Sequence, residues 1–243
     1  MTNQDLHIFE PITLSEMDGV SLMKRQDTKF VLRTDQLPQI LSELADSYKV
    51  LEVGGNRLMT YDSTYFDTTD FHFYHQHHNG IARRIKVRIR NYVESKISFL
   101  EVKQKDNKGN TNKTRIPVEE YTPTLTEKGE AFVNKTVKQK INLKKSISNR
   151  FNRFTLVNTE RQERVTFDLN LGYNGNIYDK NLTIIELKQE KLDRRSILFK
   201  ALHSRKIHPY SISKYCVGMA ALNKDIKQNN FKHKLLTINK LTT

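Results

Sequence analysis

The chain has 243 residues, of which 37% are apolar, and this is enough for one large folded unit with its own core. Lysine and arginine number 41 against 27 aspartates and glutamates, so the formal net charge of +14 predicts an anionic partner such as polyphosphate, nucleotide, nucleic acid or a membrane surface. The single cysteine excludes an internal disulfide, and no run approaches the roughly 18 apolar residues of a membrane-spanning helix.

The first ten residues, M-T-N-Q-D-L-H-I-F-E, lack the basic and apolar regions of a signal peptide. Together with the lone Cys216, they predict a cytoplasmic protein. Any membrane association is then expected to be peripheral or through a partner.

In chain order, the first predicted strand covers residues 24–32, which read K-R-Q-D-T-K-F-V-L. Apolar residues at helical spacing predict a helix over about residues 35–47. A hairpin is predicted next, with its turn at residues 54–56 and its second strand ending at Phe66, because the two glycines of the turn accept a positive φ.

A group of histidines follows within residues 71–79: His72, His75, His77 and His78. Spacings of three and five residues occur in metal sites, but no cysteine joins the group and it ends in the loop signal N-G. A solvated or packing cluster is the favoured interpretation, with a metal site as the alternative.

Residues 81–92, I-A-R-R-I-K-V-R-I-R-N-Y, predict a strand with its apolar residues on one face. The opposite face carries a row of four cations, namely Arg84, Lys86, Arg88 and Arg90. Such a row repels itself unless water or a polyanion covers it. From this strand alone, a solvated surface and a phosphate-binding track both remain open.

The same alternation recurs in the rest of the chain. It predicts strands over residues 97–105, 112–118, 149–158, 163–173 and 182–189, with helices over 125–138, 194–205 and 213–224. About eight strands joined mainly by hairpins predict an antiparallel sheet, which is either open with a solvated charged face or closed into a barrel around that face. The basic stretch 227–243 is expected to be a frayed tail or a peripheral docking segment.

Eight short motifs carry a resemblance to a known family: D-T-K-F, Y-F-D-T, K-V-R-I-R, F-L-E-V-K-Q-K, N-K-T-R-I, R-V-T-F-D, I-E-L-K and S-K-Y. In order and spacing they resemble the polyphosphate polymerase domain of the vacuolar transporter chaperone (VTC) family, within the CYTH-like triphosphate tunnel metalloenzymes. The resemblance implies an α+β fold, a closed antiparallel β-barrel (tunnel fold) of about eight strands with flanking helices. Residues 24–226 would form this domain, between an N-terminal segment, 1–23, and the tail, 227–243.

The resemblance also implies a reaction, transfer of the γ-phosphoryl group of ATP onto a growing polyphosphate chain with Mn²⁺ or Mg²⁺ as cofactor. Carried over position by position, the phosphate ligands are Lys29, Arg88, Arg90, Lys103, Lys113, Arg153, Arg164, Lys188 and Lys214. Arg150 is a near alternative to Arg153. Arg88, Arg90, Lys188 and Lys214 are expected to act in catalysis and Glu186 to hold the metal, while Glu101 and Asp168 are expected to be ion-pair partners.

These residue types suit phosphoryl transfer, because that reaction asks a protein chiefly to align donor and acceptor and to neutralise charge. ATP and orthophosphate or polyphosphate are the expected partners. A tunnel-type triphosphatase or other nucleotide phosphohydrolase and a non-catalytic polyanion-binding module are the alternatives. Hydrolysing relatives carry E-x-E-x-K on the first strand, where this chain has Arg25, Asp27 and Lys29, so transfer is favoured. Nucleic acid is not expected, since Ile and Val rather than stacking aromatics interleave the cations of residues 81–92.

Overall fold

The structure is a computed structural model that describes residues 1–18 and 25–242. Most of the predicted N-terminal segment before the domain is therefore described, whereas residues 19–23 and the predicted strand start at Lys24 lie outside the described residues. In the described part, the strands are β1 (Pro11–Ile12), β2 (Gln26–Arg33), β3 (Lys49–Leu51), β4 (Met59–Asp67), β5 (Arg84–Tyr92), β6 (Ile97–Lys105), β7 (Thr111–Val118), β8 (Lys144–Asn158), β9 (Glu163–Tyr173), β10 (Asn176–Asp179) and β11 (Leu182–Gln189). The α-helices are α1 (Leu14–Asp18), α2 (Leu37–Leu44), α3 (His72–His78), α4 (Glu127–Val137), α5 (Ile197–Ser204), α6 (Lys214–Leu222) and α7 (Asn229–Thr242).

Eight strands form one continuous antiparallel sheet in the order β2-β11-β9-β8-β4-β5-β6-β7. The short strands β1, β3 and β10 pair at its margins, and β1 with β3 is a parallel pair. The predicted antiparallel α+β architecture of about eight strands with flanking helices is therefore present.

The prediction of a closed barrel is wrong, because β2 and β7 end the strand order and do not pair with each other among the described residues. The free edge of β2 instead meets the connection between α5 and α6, where the Tyr210 backbone N–H donates to the Lys29 carbonyl at 2.7 Å. That connection occupies a backbone acceptor which a β2–β7 pairing would need.

The predicted hairpin of β3 and β4 is also wrong. The 15-residue strand β8 is long enough for both, so that β4 pairs along it from Lys144 to Arg153 and β3 pairs further on, with Leu156 and Val157. The two strands lie end to end on the same side of β8, so they cannot pair with each other. The glycine turn itself is present, and an isolated bridge joins Val53 to Asn56 across Gly54 and Gly55.

Helices cover the convex, apolar face of the sheet. On the β2–β9 side, α2 and α5 pack against it, with Leu41 and Leu202 in one buried cluster with Phe154 and Phe167. On the β5–β6 side, α4 contributes a second cluster that includes Val133. These contacts leave the opposite face, which carries the charged side chains, free to form a cavity.

The concave face is apolar at one end, where α6 packs on it. Tyr215 of α6 shares a buried cluster with Ile147 and Tyr173 of the sheet, and α7 joins the same cluster through Phe231 and Ile238. The expectation of a frayed tail is therefore wrong: the C-terminal stretch forms a helix with a buried apolar side that packs beside β2 and β11. None of the helices in residues 1–18 and 25–242 is long and apolar enough to cross a membrane.

Candidate active site

A cavity of about 1320 Å³ opens on the concave face. Both edge strands, β2 and β7, line it together with β5, β6, β11 and the α5–α6 connection, so the sheet must curve strongly to bring its two edges to one space. Its cations are Arg25, Lys29, Arg84, Lys86, Lys103, Lys105 and Lys113, and its carboxylates are Asp27, Glu186 and Glu190. The excess of cations makes the cavity attractive to a polyanion.

The nine predicted phosphate ligands share the concave face in two groups. Lys29, Lys103 and Lys113 line the cavity, as does the predicted metal ligand Glu186. The other six lie on the same face beyond the cavity lining. Arg88 and Arg90 follow Lys86 on β5 and Lys188 follows Glu186 on β11 at even spacing, Arg164 pairs with Lys188, Arg153 pairs with Asp168, and Lys214 begins α6.

Two cations hold the carboxylate of Glu101. The Arg88 Nε donates to its Oε2 at 2.7 Å, and Lys113 forms an ion pair with its other oxygen. Burial raises the pKa of Glu101, but the charges of Arg88, Arg90 and Lys113 outweigh it and lower that pKa to about 2. The carboxylate is therefore ionised at neutral pH and fixes both cations.

Asp168 joins strand β8 to helix α6 in the same way. Arg153 binds it through two hydrogen bonds, of 2.5 Å from Nε and 2.8 Å from the terminal nitrogen, and Lys214 forms an ion pair with it. Burial raises the pKa of Asp168, yet Arg153 and Lys214 hold it far below its usual range. The expected roles of Glu101 and Asp168 as ion-pair partners match this geometry.

Arg150, the near alternative to Arg153, lies elsewhere. Its side chain is 63% exposed and pairs with Asp62, whereas the Arg153 side chain is only 13% exposed. The two arginines are three residues apart in a part of β8 that pairs with β4 in unbroken register, Arg150 with Asp62 and Arg153 with Met59. Alternation along the strand therefore puts their side chains on opposite faces, and only Arg153 faces the interior.

The third carboxylate, Glu186, has two lysines beside it at longer distances. Its oxygens lie 3.7 Å from the Nζ of Lys29 and 3.6 Å from the Nζ of Lys188, beyond direct hydrogen-bond distance. Burial raises the pKa of Glu186, but these lysines lower it well below its ordinary value. An ionised carboxylate without a direct donor suits a divalent cation, and Mg²⁺ binds through one or two carboxylates plus phosphate oxygens and water.

Burial leaves several lysines of the site with a low pKa. It lowers the pKa of Lys188 to about 8 despite Glu186, and that of Lys113 to about 8 despite Glu101. Burial, with Lys29 and Lys103 nearby, also lowers the pKa of Lys86 to about 8. An anion beside these lysines would raise their pKa values and so favour their charged forms.

Sequence reasoning missed three residues that surround these cations. Lys86 donates to the Ser213 hydroxyl at 3.1 Å, and its place in the same alternation as Arg88 was a signal for it. Tyr65 and Tyr61 lie on the neighbouring strand β4, and the rings of both lie against guanidinium groups. Strand pairing brings both there; Tyr65 belongs to the motif Y-F-D-T, but nothing in the sequence indicated a contact with arginine for either.

Tyr65 is part of the site, because its hydroxyl accepts a hydrogen bond of 3.1 Å from Arg88. Burial raises the pKa of Tyr65, but the charges of Arg88, Arg90 and Lys86 outweigh it and lower the pKa to about 8. Tyr65 and Glu101 therefore hold the Arg88 guanidinium from two sides.

The histidine group divides between two surroundings. His78 accepts a hydrogen bond from the backbone N–H of Asn230 in α7, whereas His77 lines the cavity. The described residues contain no group of three or more His, Cys, Asp and Glu side chains that could hold a metal ion.

Fold and cavity together define a protein with a curved antiparallel sheet around a cation-lined cleft. The chain belongs to the VTC domain family, whose profile matches residues 24–223, and this confirms the resemblance of the short motifs. No curated protein matches the chain by sequence.

Several solved structures are remotely similar to this chain. One is the putative adenylyl cyclase HpAC1 from Hippeastrum, described as having a dominant triphosphatase activity, with 13% identity, a TM-score of 0.48, and 82% of this chain and 96% of that chain covered. Another is a putative adenylate cyclase from Vibrio parahaemolyticus, with 10% identity, a TM-score of 0.47, and 79% and 96% covered.

Proposed function

We propose that the protein is a metal-dependent polyphosphate polymerase, which transfers the γ-phosphoryl group of ATP onto a growing polyphosphate chain and releases ADP. The observation that carries this proposal is the convergence of nine cations from seven strands and one helix on one concave face. Membership of the VTC domain family supports it.

The curved sheet would act as a tunnel for the phosphate chain. Its wall would be completed by the α5–α6 connection beside β2, in place of a pairing between β2 and β7. We take residues 24–226 as the functional unit and residues 227–243 as an appended segment. ATP and orthophosphate or polyphosphate are its proposed partners, and nucleic acid is not among them.

The cations would bind the reacting phosphates and neutralise charge as it shifts during transfer. Arg88 and Arg153 suit this role because carboxylates already hold their guanidinium groups, so little reorganisation is needed when substrate arrives. Lys188 and Lys214 would add compact charges from β11 and α6. A phosphate acceptor is itself anionic, so alignment and charge neutralisation are the main tasks.

Glu186 would hold the divalent ion, Mn²⁺ or Mg²⁺. Such an ion would neutralise part of the negative charge of the phosphates. In the protein itself, Lys29 and Lys188 keep the Glu186 carboxylate ionised and therefore ready as a ligand.

Incubation of the purified protein with ATP and Mn²⁺ tests the proposal, with long polyphosphate and ADP as the expected products. Glu186→Gln and Arg88→Ala are each expected to lower polymer formation at least about 100-fold, since charge clamps on transferring phosphoryl groups contribute about 10³ to 10⁵. Arg195→Ala is the matched control, because this side chain is 84% exposed and remote from the cavity lining.

The products separate the alternatives. Orthophosphate without polymer would mean a tunnel-type triphosphatase, and unchanged ATP would mean a polyanion-binding module. Undiminished synthesis by Glu186→Gln or Arg88→Ala would refute the role of that residue. Thermal unfolding of each variant checks that the fold is intact.

A further inference from the structure

His77 occupies an unusual position for a neutral side chain. It is the next-to-last residue of α3 and lines the cavity beside cations of two strands, Arg84 and Lys86 of β5 and Lys103 and Lys105 of β6. Across the same cavity lie Lys29 and Asp27 of β2 and Glu186 of β11. A polyanion that fills the cavity would therefore pass the imidazole.

Two nitrogens at this point are left without a partner. The Nε2 of His77 and the Nε of Arg84 are both buried, and within the described residues neither has a hydrogen-bond partner. An unsatisfied buried polar group costs about 1–3 kcal/mol, so native structures rarely leave one without a reason. The Arg84 nitrogen can only donate, and a protonated His77 nitrogen would also donate, so both suit an anion in the cavity.

Burial and the positive charges around His77 together explain why it is neutral in the free protein. Burial first, and then the charges of Lys86, Arg84, Lys103 and Lys105, lower the pKa of His77 to about 2. An arriving chain of phosphates would offset these four positive charges. Protonation of the imidazole would then become favourable near neutral pH.

We propose that His77 is a further anion-binding residue, whose imidazole takes up one proton from solvent when a chain of phosphates occupies the cavity and then donates a hydrogen bond to a phosphate oxygen. No covalent bond forms or breaks. This inference rests on the proposed function in one respect, that the cavity binds phosphate chains.

The direction of the pH effect follows from a comparison of the free protein with the anion-bound protein. At a pH below the pKa that His77 has in the anion-bound protein, His77 is cationic only when the anion is bound, so its protonation strengthens binding. Above that pKa it is neutral in both states and contributes nothing through charge. The contribution of His77 is therefore expected at pH 6 and absent at pH 8.

Isothermal titration calorimetry with tripolyphosphate measures this proton directly. Titrations at pH 6.0 in two buffers of different ionisation enthalpy give the net number of protons taken up. If the occupied His77 returns to the ordinary pKa of about 6.5, wild type should take up about 0.8 proton more than His77→Gln at pH 6.0. Protons exchanged by tripolyphosphate itself and by other residues are common to both proteins and cancel in the difference.

Affinity gives a second readout. His77→Gln should bind tripolyphosphate about 5-fold more weakly than wild type at pH 6.0 and equally at pH 8.0, because a charge-assisted hydrogen bond is lost only where the imidazole is protonated. His77→Arg carries a charge that proteins do not remove, so it should bind more tightly than wild type at pH 8.0.

His72→Gln is the matched control, since His72 is an exposed residue of the same helix and is expected to leave proton uptake and affinity unchanged. Thermal unfolding verifies that each variant is folded. Equal proton uptake by wild type and His77→Gln, with binding intact, would overturn the inference. Failure of the wild type to bind tripolyphosphate would instead overturn the proposed function.

Discussion

Carboxylates decide which cations of the concave face are fixed in place. Glu101 and Asp168 are almost fully buried, and each is contacted by one arginine and one lysine from different elements. These acids reduce the positive charge of the site, but they hold flexible side chains in one geometry before a substrate arrives. We therefore expect their loss to affect both stability and anion binding.

Substitution of Glu101 by glutamine tests this role. Arg88 and Lys113 would lose their common partner, and unpaired buried charge is strongly destabilising, so the free energy of unfolding should fall by about 3 kcal/mol at pH 7. Urea unfolding monitored by circular dichroism measures the change.

The pH dependence of this difference has a definite sign. Because the pKa of Glu101 is lowered to about 2 in the folded protein, its ionised form stabilises the fold above the ordinary glutamate pKa, and this is lost as pH falls towards 2. The difference in the free energy of unfolding between wild type and Glu101→Gln should thus be smaller at pH 3 than at pH 7. The exposed Glu120→Gln is the control, and an equally large loss in that variant would contradict the explanation.

Among the elements, helix α6 is the one that connects the apolar and charged ends of the concave face. The Ser213 hydroxyl caps its first turn by accepting from the Cys216 N–H, and the next residue in the chain, Lys214, reaches Asp168. At Gly218 the helix lies so close to the sheet that an added Cβ would clash with Tyr173 and come within 2.8 Å of Ile147. A side chain at this position would therefore push the helix away from the sheet.

Gly218→Ala should therefore be destabilising although alanine favours helix. Overpacking of a buried contact costs about 1–3 kcal/mol, and displacement of α6 should also weaken tripolyphosphate binding by moving Lys214. Urea unfolding and calorimetric titration measure the two effects. Leu222→Ala, at a 52% exposed position of the same helix, is the control and is expected to change neither stability nor binding. A Gly218→Ala variant more stable than wild type would contradict the prediction and show that the sheet can move to make room for the added methyl group.

Taken as a whole, the molecule places a large share of its positive charge around one cavity between the free edges of its sheet. The net charge of +14 opposes compactness through mutual repulsion, and the cavity concentrates this repulsion in cations from strands that are distant in the sheet order. A multivalent anion would relieve it by contacting both edges at once.

Tripolyphosphate is accordingly expected to stabilise the whole fold. At 100 times its dissociation constant, a ligand of the native state adds about 2.7 kcal/mol, which should raise the unfolding temperature by roughly 5–10 °C for a protein of this size. Thermal unfolding followed by circular dichroism measures the shift. Sodium chloride at equal ionic strength is the control, and an equal rise in both solutions would indicate general screening and not binding in the cavity.

Much of the local structure could be predicted because it depends on alternation along the chain. Strands β6 and β11 have the predicted bounds, and the cations of β5 share a face, since side chains in any strand alternate with a period of two. The family membership likewise follows from short motifs in a given order. The sequence by itself therefore determined the strands, their faces and the charge they carry.

Tertiary structure decided which edges pair and which side chains meet. The α5–α6 connection lies along the edge of β2, β3 shares β8 with β4, and the pairing of β8 with β9 brings Arg153 to Asp168. His77 likewise reaches the cavity only through the packing of α3 near β5. Backbone groups of distant segments compete for the same hydrogen-bond partners, and this competition is settled only when the whole chain is folded, so no local pattern encodes its outcome.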